Sequence, residues 1–224
     1  MKTGNPYIKG EKYGYTSILP KKNGGTVHVN PSFRFSILLS QGLFFAFVPA
    51  WLMLFSYLHP VVIVVVWATL TALVFFLVYG FRQDTLHVPA ALLKGAMGFY
   101  TAALFVLLFF RPAAQSYENM NLVPFRTLRF FLSGEGDAFV AFYNVAANIV
   151  LFVPYGVFWL LMANPSLLQK ILVPLILIVL IEAGQFLTER GSLDIDDLLL
   201  NTAGVWSGYA IFPLVRRVLH ISRR

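Results

Sequence analysis

No cysteine occurs in the 224 residues, which excludes a disulfide framework and any thiolate metal centre. Charge is scarce as well. Asp, Glu, Lys and Arg make up 12 % of the chain, about half their usual share in soluble domains. A soluble domain of this length needs a polar shell, and these residues are too few to build one. The scarcity is greatest between Arg34 and Arg82, where none of the four types occurs. The histidines, His28, His59, His87 and His220, are scattered through tails and loops, so no His-based metal or catalytic centre follows. Nor does any Ser or Thr have the adjacent His of a hydrolytic triad. There is no internal repeat and no low-complexity run.

What is abundant is apolar surface: hydrophobic residues are 58 % of the chain and mean hydropathy is +0.72. The stretch from Arg34 to Arg82 far exceeds the ~20 residues that one membrane crossing needs. Two crossings fit there, joined by Tyr57-Leu58-His59-Pro60. Six apolar stretches emerge in all, at 36–57, 61–81, 90–110, 139–162, 170–188 and 197–215. Lys94 falls near one end of the third and can snorkel to the interface. The expected fold is therefore all-α, a polytopic transmembrane bundle of six helices. Residues 1–34 read as a flexible basic cytoplasmic tail, 35–88 as two additional helices that serve as scaffold, 89–217 as a four-helix core, and 218–224 as a second basic cytoplasmic tail. The first tail is too long to be the n-region of a secretory signal, and it ends abruptly at Asn30-Pro31.

Basic residues set the orientation. With the N-terminus inside, 13 of the 17 Lys and Arg residues fall in cytoplasmic segments, and seven of the ten acidic residues fall in outer loops. This asymmetry favours a multi-pass protein of the plasma membrane with both termini cytoplasmic. The net charge of +7 is thus topology information, and no nucleic-acid partner is expected.

An ionisable residue inside a bilayer is costly, so its position is informative. In the fifth stretch Glu182 and Gln185 share a face, with Glu182 roughly two turns below the outer surface. The loop through Arg190 and Asp194 follows. The sixth stretch then presents Asp197, Asn201, Gly204 and Gly208 at spacings of four, three and four. The fourth starts from the same side with Asn144 and Asn148, and its Pro154 and Gly156 permit a kink. Antiparallel neighbours would bring these polar ends together. The expected outward-facing pocket is lined by Asn148, Glu182, Gln185, Arg190, Asp194, Asp197 and Asn201, with Asn121 in the preceding loop. Residues 125–132 suit a short interfacial helix.

Each residue also has a plainer role. Glu182 and Gln185 serve as interhelical hydrogen-bonding groups. Asp194, Asp196 and Asp197 suit the start of a helix, with Asp196 out of phase with its neighbours. Gly204 and Gly208 are explained by close helix packing. Arg190 suits neutralisation of the acidic cluster, or a clamp on a ligand's phosphate or carboxylate. Oxygen ligands from Asp194, Asp197 and Glu182 would suit calcium or magnesium, but their spacing matches no known loop. No metal and no cofactor is assigned.

These residues resemble the VanZ-like family of bacterial membrane proteins. The pattern is Asn121, Pro124-Phe125, Asn148-Ile149, Phe152, Pro154, Gly156, Glu182, Gln185, Arg190, Asp194, Asp197, Asn201-Thr202, Gly204 and Gly208. It covers residues 95–215 and leaves the first two helices outside. Tyr155 stands where many members have leucine. The resemblance implies a C-terminal four-helix core and an association with the cell envelope and with teicoplanin-type glycopeptide resistance. It names no reaction. Two functions remain open: the pocket binds membrane lipid or a lipid-linked cell-wall component, or the chain is an intramembrane enzyme acting on an amphiphile, with Glu182 and an Asp as acid–base pair. Proton-coupled transport is a weaker third reading, because the internal repeat of many transporters is missing.

Overall fold

The computed structural model describes residues 16–17, 22–23, 26–27, 30–49, 61–110, 120–126, 129, 133 and 138–222. In chain order these form β1 (Thr16–Ser17), β2 (Lys22–Asn23), β3 (Thr26–Val27), α1 (Pro31–Ala46), α2 (Val61–Arg82), β4 (Leu86–Pro89), α3 (Ala90–Phe109), α4 (Ala138–Val150), α5 (Val153–Met162), α6 (Leu167–Leu187), α7 (Ile195–Val218) and β5 (Leu219–Ser222). Helix dominates, as hydropathy requires.

Local chemistry explains several boundaries. Asn30 caps α1 by accepting from Ser32 N at 2.7 Å, and Pro31 occupies the first turn, where its missing N–H costs nothing. The helix therefore starts within the expected tail. Ser166 and Gln169 form a reciprocal capping box on α6. The fourth expected crossing is two helices. The chain tightens at Leu151 and Phe152, where Phe152 N donates to Ile149 O at 3.1 Å, and resumes as α5 with Pro154 in its first turn. Pro154 cannot donate to the helical ladder, so the break falls in front of it.

Among the described residues, four helices and the α4–α5 pair are long and apolar enough to cross a membrane: α2, α3, residues 144–162, α6 and α7. The first expected crossing, 36–57, is described as helix to Ala46, and its far part lies outside the described residues. The chain is a multi-pass helical membrane protein. Leu38, Phe81, Phe142, Leu167 and Leu187 are all exposed. In hydrocarbon that exposure is the favourable state.

The core of the bundle is Leu104, Leu108, Phe152, Ile178 and Val205, so it draws on α3, the α4–α5 junction, α6 and α7. The tightest contact is between α5 and α7. A Cβ on Gly156 would stand 2.1 Å from Val205 O, and one on Gly208 2.3 Å from Val153 O. Only glycine permits that backbone approach. Polar residues of α1 turn inward to α2. Ser32, Ser36 and Ser40 are buried at four-residue spacing, Ser32 Oγ donates to the Asp84 carboxylate, and Trp67 Nε1 donates to Gln41 Oε1 at 2.8 Å.

One departure from all-α is a small parallel sheet in the order β1-β4-β5. It ties part of the N-terminal tail, the α2–α3 connection and the residues after α7 into one place. Thr16–Ser17 and Leu219–Ser222 therefore belong to strands, within the segments expected as a flexible N-terminal tail and a basic C-terminal tail. His87 and His220, scattered in sequence, pair in register with ring centroids 5.5 Å apart. The sheet lies at the C-terminal end of α7. Asp194 lies at the other end, about 36 Å away at 1.5 Å per residue.

Candidate functional site

Apart from the three α1 serines, the buried polar residues among those described, Glu182, Gln185, Asp196, Asn201 and Thr202, lie toward the Asp194 end of the bundle. Asp194 is the N-cap of α7, accepting from Asp196 N at 2.8 Å, and Asp196 and Asp197 occupy the first turn. Their charges face the positive end of the helix dipole, while Arg216 and Arg217 occupy the last turn. α7 thus begins at Ile195, two residues before the expected stretch.

Three carboxylates each accept from a carboxamide on a different element. Asn121 Nδ2 donates to Asp194 Oδ1 at 3.0 Å. Asn148 Nδ2, on α4, donates to Asp197 Oδ1. Asn201 Nδ2, two turns into α7, donates to Glu182 Oε1 of α6 at 3.4 Å. Glu182 and Asn201 are buried, whereas Asn121, Asn148, Asp194 and Asp197 are half-buried. The loop is fixed by backbone as well. Asn121 N donates to Leu193 O at 2.9 Å and Ile195 N to Asn121 O at 3.0 Å, a short parallel bridge.

Of the expected pocket residues, Asn121, Asn148, Glu182, Asp194, Asp197 and Asn201 thus form three hydrogen-bonded pairs along the first two turns of α7. Gln185 is buried as well, but its Nε2 donates to Leu108 O of α3 at 3.0 Å, the interhelical role. Gly191 lies over it: a Cβ there would stand 3.2 Å from the Gln185 Cβ. Arg190 differs from expectation. It is exposed, its guanidinium lies 5.7 Å from the centroid of the Phe110 ring, and it makes no ion pair among the described residues. Staying in the polar interface over an aromatic face avoids the desolvation that pairing with buried carboxylates would demand.

Two residues were missed. Asp196, set aside because its phase differs from that of Asp194 and Asp197, is buried and accepts from Phe125 N. The loop carrying Asn121 covers α7 on that side, and Phe125 adopts φ 62° there. Helical phase says which way a side chain points, not which loop folds over it. Thr202, part of the family pattern but not of the expected pocket, is buried next to Asn201 in the chain; helical phase alone does not distinguish it from a packing threonine. The expected interfacial helix falls mostly on residues outside those described. Arg129 N donates to Phe125 O at 2.8 Å and Ser133 N to Arg129 O at 2.9 Å.

Among the described residues no group of three or more His, Asp or Glu side chains is placed to hold a metal ion. The site's capacity is for hydrogen bonding: carboxylates and amide oxygens at the end of an apolar bundle, with an arginine at the rim.

The VanZ/LLP1 family model matches residues 97–216. The chain belongs to this family. The match covers more than half of the 224 residues, from inside α3 to the last turn of α7, and includes every residue of the polar arrangement. α1 and α2 lie outside the VanZ/LLP1 match, as the resemblance implied. No curated protein and no solved structure matches the chain.

Proposed function

We propose that this VanZ/LLP1 protein sits in the plasma membrane with both termini cytoplasmic and binds a lipid headgroup, or a lipid-linked cell-wall component, at the outward-facing Asp194 end. Through that binding it contributes to teicoplanin-type glycopeptide resistance or to envelope homeostasis. The observation that carries this reading is the convergence of Asn121–Asp194, Asn148–Asp197 and Asn201–Glu182 at one end of a bundle of apolar helices. Packing alone would be served by apolar residues at lower cost. Orientation rests on the Lys and Arg asymmetry, which assigns the sheet end to the cytoplasm.

The test pairs Glu182→Gln with Asp197→Asn, each assayed for teicoplanin susceptibility, for abundance in the membrane and for co-purifying lipid. Loss of resistance and of bound lipid at normal abundance is the expected result. A parallel fall of resistance and abundance would mean that the carboxylates serve only packing. A chemically altered lipid that accumulates with the wild-type protein and not with Glu182→Gln would replace binding with catalysis.

A further inference from the structure

The hydrogen-bonding state of Asn201 and Thr202 names the chemistry that the site takes. Asn201 spends its donor on Glu182 Oε1, and its own Oδ1 is buried and accepts nothing. The neighbouring Thr202 Oγ1 is equally buried and equally without a partner. Several hydroxyls in or at the end of helices bond the carbonyl four residues back: Thr101 to Met97 O at 2.8 Å, Thr188 to Gly184 O at 2.7 Å and Ser207 to Ala203 O at 2.7 Å. Thr202 forgoes that bond. Unsatisfied buried oxygens on two consecutive residues, the first of them bonded to a buried carboxylate, are the exception in folded chains and call for a donor.

We infer that these oxygens line a recess that takes the primary ammonium of an aminophospholipid headgroup, with Arg190 at its rim to meet the headgroup phosphodiester. The inference rests on the binding function proposed above and specifies its ligand. An ammonium offers three N–H donors and no acceptor, matching Asn201 Oδ1 and Thr202 Oγ1, and its charge offsets that of Glu182. A hydroxyl-bearing headgroup would add acceptors to a recess already rich in them. A quaternary choline has no N–H at all. The rim has the opposite character. Arg190 is exposed, makes no ion pair among the described residues, and donates its backbone N–H to Gln185 O at 2.8 Å. Gln185 lies one turn from Glu182 on α6, so this backbone bond ties Arg190 to the helix that carries the buried carboxylate.

The test is lipid competition. The full chain is placed in nanodiscs of phosphatidylglycerol containing equal amounts of phosphatidylethanolamine and phosphatidylcholine, and the lipids that it retains on extraction are quantified by mass spectrometry. The expected result is an ethanolamine-to-choline retention ratio of about tenfold, the worth of one charge-assisted hydrogen bond. Asn201→Leu and the nearly isosteric Thr202→Val each bring the ratio close to one, while Ser207→Ala leaves it unchanged. Thr202→Val keeps the test valid should Asn201→Leu fail to fold. Equal retention of the two lipids by the wild type, or a ratio that neither variant alters, means that water occupies the recess and overturns the inference. Preferential retention of phosphatidylglycerol that is lost in Asn201→Leu makes the donor a hydroxyl, overturning the ammonium and keeping the binding function. Retention of no lipid above the bulk composition, by wild type or by Glu182→Gln, removes both.

Discussion

Asn148 on α4 donates through Nδ2 to the Oδ1 of Asp197 in the first turn of α7, which locks the start of one membrane helix to the middle of another. The bond holds α4 against the helix where the α4–α5 pair must bend in front of Pro154. It also places a charged group at the mouth of the polar site with its own neutral donor attached.

Removing that donor should cost more than removing both partners. Asn148→Leu leaves the half-buried Asp197 carboxylate without its amide and should lower stability by about 1–3 kcal/mol. The double variant Asn148→Leu/Asp197→Leu should recover much of this loss. Thermal unfolding in detergent, analysed as a double-mutant cycle, gives the coupling. A coupling near zero would show that the pair does not bind the helices together.

Backbone contact between α5 and α7 makes a second expectation. A Cβ on Gly156 or Gly208 would fall within 2.3 Å of a carbonyl oxygen on the facing helix, whereas one on Gly98 meets nothing within 4 Å. Gly156→Val and Gly208→Val should therefore abolish accumulation of folded protein, and Gly98→Val should leave it near wild type. Quantitative blotting of membrane fractions decides it. Normal accumulation of Gly208→Val would show that the helices can separate at no cost.

The small sheet should respond to acid. Burial, and secondarily the His220 side chain, lower the His87 pKa from its ordinary value. A base with a lowered folded pKa binds fewer protons folded than unfolded, so stability rises with pH through that window and falls below it. Hydrogen exchange at Leu86–Pro89 and Leu219–Ser222 should accelerate as pH falls from about 7.5 to about 5.5, through the ordinary histidine range. His220→Asn should weaken the dependence. Faster exchange at the higher pH, after correction for intrinsic rates, would contradict the sign.

The absence of native cysteine makes topology directly measurable. Glu189→Cys, in the exposed loop before α7, should react with a membrane-impermeant maleimide on intact cells. His220→Cys should react only after permeabilisation. The reverse pattern would place the polar site on the cytoplasmic side and end the proposed role in the outer leaflet.

Hydropathy alone determined that this chain crosses a membrane through apolar helices, because the need to satisfy every backbone group within lipid leaves few other structures. The face shared by Glu182 and Gln185, the polar face of Asp197 and Asn201, and the break near Pro154 were legible too, since helical period and proline chemistry are local. Their family resemblance was likewise readable from residue order. Tertiary structure decided the rest. It chose which carboxylate meets which amide, buried Asp196 beneath the Asn121 loop, turned Gln185 to the Leu108 carbonyl, and left Arg190 over Phe110. It also brought His87 beside His220 in a sheet formed by segments far apart in the chain. Such pairings depend on how helices approach and which loop covers which end, and those are set by backbone distances such as that between Gly156 and Val205, which side-chain periodicity does not encode.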